Sequence, residues 1–85
     1  MNVQAWQKFT DDTILICGQP STFDDFDSCR MVLGTAQRAL LVAGMQGSLS
    51  ECSQINQMVE QLQVVIRDFT SQREDLVQAH MRALD

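Results

Sequence analysis

The stretch VAGMQGSLSE, residues 42–51, separates two long runs of helical periodicity and decides how they meet. Gly44 follows an apolar run and reads as its stop. Ser48 and Glu51 have the spacing of a capping box, in which hydroxyl and carboxylate each satisfy an orphan backbone N–H at a helix start. Upstream, apolar residues fall at Phe26, Cys29, Leu33, Ala36, Leu40 and Ala43, in steps of 3, 4, 3, 4 and 3. Downstream, Cys52, Ile55, Val59, Leu62, Ile66 and Phe69 repeat the alternation. Both are coiled-coil a/d seams, and two seams joined by a short turn pack as antiparallel neighbours. No Gly or Pro follows Gly47. The pattern therefore predicts an antiparallel helical hairpin with helices over about 22–43 and 48–84. The second arm would be roughly 55 Å long at 1.5 Å per residue. A turn centred there opposes residues whose numbers sum to about 92, which sets Cys29 near Gln63 and Cys52 near Leu40.

Working outward, ICGQPSTFDDFDSC, residues 16–29, reads as the joint before the hairpin. Gly18 with Pro20 two residues later stops a helix. Ser21 and Thr22, three residues before Asp24 and Asp25, are capping-box variants, and Asp24, Asp25 and Asp27 sit where the positive end of the helix dipole favours carboxylates. A cation loop of the D-x-D-x-D-G type would need alternating oxygen ligands and a turn glycine, and neither is present. A first, shorter helix over about 3–17 precedes the joint. Its TILIC segment, 13–17, is strand-like in composition, but no second such run exists to pair with it. The fold class is all-α, one domain over 1–85, arranged like a three-helix bundle. Helix 1 can fold back on the hairpin or run in line with helix 2 and cover 70–84. The fold-back arrangement is the better expectation, because it buries a second stripe on helix 2 formed by Val32, Ala39 and Val42 beside Met31.

The chain has 85 residues and a formal charge of −5. Its isoelectric point is about 4.5. Such a chain repels phosphate backbones, so nucleic acid is not an expected partner. Its longest apolar stretches, 14–17 and 39–43, are far short of a membrane span, so no membrane is expected either. Cys17, Cys29 and Cys52 are odd in number and lack CxxC spacing, which argues against a disulfide framework and against zinc. With no leader-like segment at the start, the expected location is the reducing cytoplasm. His80 has no partner at ligand spacing. No phosphate loop, inward carboxylate pair or nucleophile triad is present, so the expectation is a non-enzyme with no catalytic residue, no metal and no cofactor.

Apolar side chains left over from the seams carry the functional reading. Past Phe69 the heptad continues as Arg73, Leu76, His80 and Ala83, half of it polar, so the seam weakens. Leu76, Val77, Met81 and Leu84 then form one candidate binding surface, and Met31, Val32 and Val42 on the flank of helix 2 form another. In architecture alone the chain resembles small bacterial helical-hairpin chaperones, such as those that hold type III secretion needle subunits: an acidic chain, an antiparallel hairpin and a Gln-rich second arm. That resemblance carries no residue across. The expected function is a small acidic adaptor or chaperone-like module that binds a helix of another protein. The alternative is a homo-oligomerising bundle that pairs with a second copy, and a remoter one is an acidic inhibitor or nucleic-acid mimic.

Overall fold

The computed structural model describes residues 1–84 and shows three helices, α1 Val3–Cys17, α2 Phe23–Met45 and α3 Leu49–Leu84, with no strand among the described residues. The molecule is a rod 56 Å long. That length is set by α3, whose 36 residues span about 54 Å at the standard helical rise. α2 and α3 form the antiparallel hairpin. Leu33, Leu40, Ile55 and Leu62 are completely buried between them, and all six seam residues of α2 are buried. On α3, Ile55, Leu62 and Phe69 are buried while Cys52, Val59 and Ile66 are half-covered. Burying a Leu or Ile of this kind contributes about 1.5–3 kcal/mol. Phe26 and Phe69 close the far end of the core edge-to-face, with ring centroids 6.1 Å apart.

Both capping boxes form. Thr22 Oγ1 accepts from the Asp25 N–H at 3.1 Å while Asp25 Oδ2 accepts from the Thr22 N–H at 3.3 Å. Ser48 Oγ accepts from the Glu51 N–H at 3.2 Å, and Glu51 Oε1 accepts from the Ser48 N–H at 2.8 Å. These bonds hold both carboxyls below the usual carboxylate range. For Asp25 the main cause is a further backbone bond from Ser21. For Glu51 it is the Ser48 N–H.

The turn differs from the expectation in one respect. Gly44 does not end α2, which runs on to Met45 and closes on Gln46, whose N–H donates to the Ala43 carbonyl at 3.1 Å while the Gly47 N–H donates to that of Gly44 at 3.3 Å. Gly44 is instead buried against Ile55: a Cβ added to it would lie 3.1 Å from Ile55 Cγ2. The missing side chain lets the two backbones approach, so the helix runs two residues further than expected and the reversal moves toward Gly47. The register moves with it. Phe26 faces Phe69, and Gln37 Nε2 donates to the Val59 carbonyl at 3.3 Å. Opposed residues therefore sum to about 95 rather than 92, which moves Cys29 past Gln63 toward the Ile66 turn of α3. α2 also reaches further along α3 than its length suggested. The Phe23 ring lies edge-to-face with His80 and carries the Arg73 guanidinium 5.2 Å from its centroid, while Arg73 Nε pairs with Asp27 Oδ1 at 2.9 Å.

Gly18, at φ 57° and ψ −132°, turns the chain after α1. That backbone conformation belongs to glycine. With Pro20 it sends α2 back along α1, so α1 folds onto the hairpin and contacts both arms. Gln7 Nε2 donates to Gln61 Oε1 at 3.2 Å, and Met1 lies against Gly47 at the hairpin turn. The face α1 buries is Val3, Trp6, Thr10, Thr13 and Cys17, again in steps of 3, 4, 3 and 4. Two threonines stand where a seam expects oily residues. Their hydroxyls donate to the Trp6 and Phe9 carbonyls at 2.9 and 2.7 Å, leaving their methyls for the core.

Candidate functional site

Packing α1 across α2 leaves an open apolar groove along their outer edge. Its upper part is lined by Phe9, Thr13, Met31, Val32, Thr35 and Ala39 and encloses about 340 Å³. The lining is almost entirely carbon. It continues past Trp6, Arg38 and Val42 toward the hairpin turn. Small side chains at Thr13, Thr35, Ala36 and Ala39 form the floor. Phe9, Met31 and Val42 stand as walls, with Met31 72% and Val42 57% exposed. Sequence spacing explains this layout. Residues 31, 35, 39 and 42 follow one another up a single face of α2, roughly opposite the Leu33–Leu40 seam, so the helix that buries one face presents the other.

The candidate residues fall into two separated places. Met31, Val32 and Val42 all border the groove. Leu76 and Val77 are half-buried near the far end of the rod, with Leu76 packed against the core, while Met81 and Leu84 are exposed. Residues 70–84 are not left wholly uncovered by α2, which corrects the expectation that only another element covers them: Phe23 lies against His80 and Asp27 pairs with Arg73. Phe9 of α1 supplies one wall, and sequence reading missed Thr13, Thr35 and Ala36. Their small polar or methyl side chains give no signal until α1 is placed. A further exposed apolar group, Leu41, Met45 and Leu49, sits at the hairpin tip.

A pair of thiols lies where α1 ends. Cys17 Sγ is 4.0 Å from the Cys29 carbonyl oxygen, and Cys29 Sγ is 3.5 Å from that of Cys17. Burial, with the adjacent Cys29 thiol adding to it, pushes the Cys17 thiol up to about 11. Cys52 stands apart on α3, next to Asn56. Opposition across the hairpin turn could not show this contact, because only the reversal at Gly18 brings Cys17 back to α2. Among the described residues, no three His, Cys, Asp or Glu side chains converge as a metal site, and no helix is long and apolar enough to cross a membrane.

Fold and groove together define a small three-helix bundle with one helix flank left open. No family model, curated protein or solved structure matches the chain.

Proposed function

We propose that the protein is a non-enzymatic binding module that takes an amphipathic helix of another protein in the α1–α2 groove. The single observation that supports this reading is the second apolar face of α2. Met31, Val32 and Val42 are exposed although the core beside them is complete. Exposed apolar side chains scattered singly need no explanation, whereas a row at helical spacing over a small-residue floor suits a helix laid into a groove. Five methionines in 85 residues, Met31 among them, add adaptable thioether surface.

The test is affinity capture from the source cell with the wild-type chain and with the double variant Met31→Glu, Val42→Glu. Both positions are exposed, so helicity and thermal midpoint should be unchanged. A specific partner should be retained by the wild type and weakened at least about tenfold by the variant. Equal retention by both refutes the groove. A tight homodimer in sedimentation, dissolved by the same variant, refutes a foreign partner in favour of self-assembly.

A further inference from the structure

The thiols of Cys17 and Cys29 are the one cluster of reactive groups that the groove does not use. They come from opposite sides of the Gly18–Pro20 joint, and each sulfur reaches the other residue's carbonyl oxygen. Reciprocal contact of this kind overlaps the two side chains from both directions. Cys17 is half-buried and Cys29 is buried, so a small reagent meets Cys17 first. The third cysteine, Cys52, lies near the hairpin turn on another helix and has neither thiol beside it.

We propose that Cys17 and Cys29 are a redox pair, which a low-molecular-weight disulfide converts to an intramolecular bond stapling the end of α1 to α2. The Cys17 thiolate attacks one sulfur of the reagent disulfide. A mixed disulfide forms and one reagent thiolate leaves, to be protonated by the proton Cys17 gave up. The Cys29 thiol then loses its proton and attacks the Cys17 sulfur, releasing the second reagent thiol. In sum the protein is oxidised by two electrons, one disulfide is reduced to two thiols, and the protons balance. The raised affinity of Cys17 for its proton makes the first step slow at neutral pH. The pair thus resists incidental oxidation yet yields to a sustained oxidising medium. A disulfide needs the two side chains close together, and the reciprocal sulfur–carbonyl contacts at 4.0 and 3.5 Å bring the last residue of α1 against the second turn of α2. The staple closes a short loop, residues 18–28, already narrowed by the left-handed Gly18 and by Pro20. Cross-linking a loop of that order favours the folded state roughly hundredfold in the chain-entropy account. This inference is independent of what the groove binds.

The experiment incubates the full Cys52→Ser chain with oxidised glutathione, quenches with an alkylating agent and digests with trypsin. Cleavage after Lys8 and Arg30 puts both cysteines on the single peptide 9–30. The expected product is that peptide lacking two hydrogens and unalkylated. The oxidised protein should melt roughly 10–20 °C higher than the reduced one, reversibly with dithiothreitol. Wild-type chain should give the same bond and keep one alkylatable thiol, Cys52. Cys29→Ser should stop at a glutathione adduct on Cys17. Recovery of 9–30 alkylated at both cysteines, or a bond that leaves the melting temperature unchanged or lower, overturns the proposal. Because the Cys52→Ser and wild-type results suffice, a Cys29→Ser chain that fails to fold does not remove the test.

Discussion

Replacing Gly44 by alanine tests the close approach on which the register rests, and Gly34 in the same helix provides the control. Both glycines lie in α2. Gly34 is mid-helix, where alanine gains about 1 kcal/mol in helix propensity, and Gly44 is in the last turn, where the gain is at most that. Their surroundings differ. A Cβ at Gly34 meets nothing within 4 Å, whereas one at Gly44 meets Ile55 Cγ2 at 3.1 Å and Ile55 Cβ at 3.5 Å. Ile55 is fully buried and has no free direction in which to give. Overpacking of this sort costs about 1–3 kcal/mol. Gly34→Ala should therefore raise stability by about 1 kcal/mol, or roughly 4–8 °C in melting temperature for a domain of this size. Gly44→Ala should be neutral to about 2 kcal/mol destabilising, once its propensity gain offsets part of the clash. The Ile55→Leu background isolates the packing cost, because the backbone change at position 44 is then the same on both sides of the comparison. Ile55→Leu removes the offending branch at similar volume, so Gly44→Ala should cost less in that background. Urea denaturation of the four variants and the wild type gives the coupling directly. If Gly44→Ala stabilises as much as Gly34→Ala, the helices do not meet there and the register is wrong.

Further outcomes follow from the same structure. Thr22→Ala and Ser48→Ala should each lower stability by about 1 kcal/mol, read as a fall in urea midpoint at constant slope. Asp25 and Glu51 bind protons less readily folded than unfolded, so stability is full above about pH 4–5 and drains as pH drops through the lowered folded values. A urea midpoint that is flat from neutral to acid pH contradicts this. Charge introduced along α3 should follow burial. Leu62→Asp abolishes the fold, Leu76→Asp weakens it measurably, and Leu84→Asp changes it by less than about 0.5 kcal/mol by circular dichroism melting. Alkylation of Cys17 in the reduced native chain should keep rising tenfold per pH unit toward about 11, where an ordinary thiol levels off near 8.5.

The amino-acid sequence by itself determined the hairpin. Steps of 3 and 4 on both arms place Leu33, Leu40, Ile55 and Leu62 on single faces, and the two capping boxes state where those faces begin. These are local properties of chemistry and spacing, readable without any partner. Tertiary structure alone decided three other things. It converted Gly44 from an expected stop into a point of helix–helix contact, since a glycine's lack of a side chain has meaning only against the neighbour it admits. It buried Thr10 and Thr13, whose hydroxyls are satisfied by carbonyls of their own helix. And it brought Met31, Val32 and Val42 beside Phe9, and Cys17 beside Cys29. The groove and the thiol pair are both products of one reversal at Gly18, and contacts between segments so placed carry no periodicity along the chain.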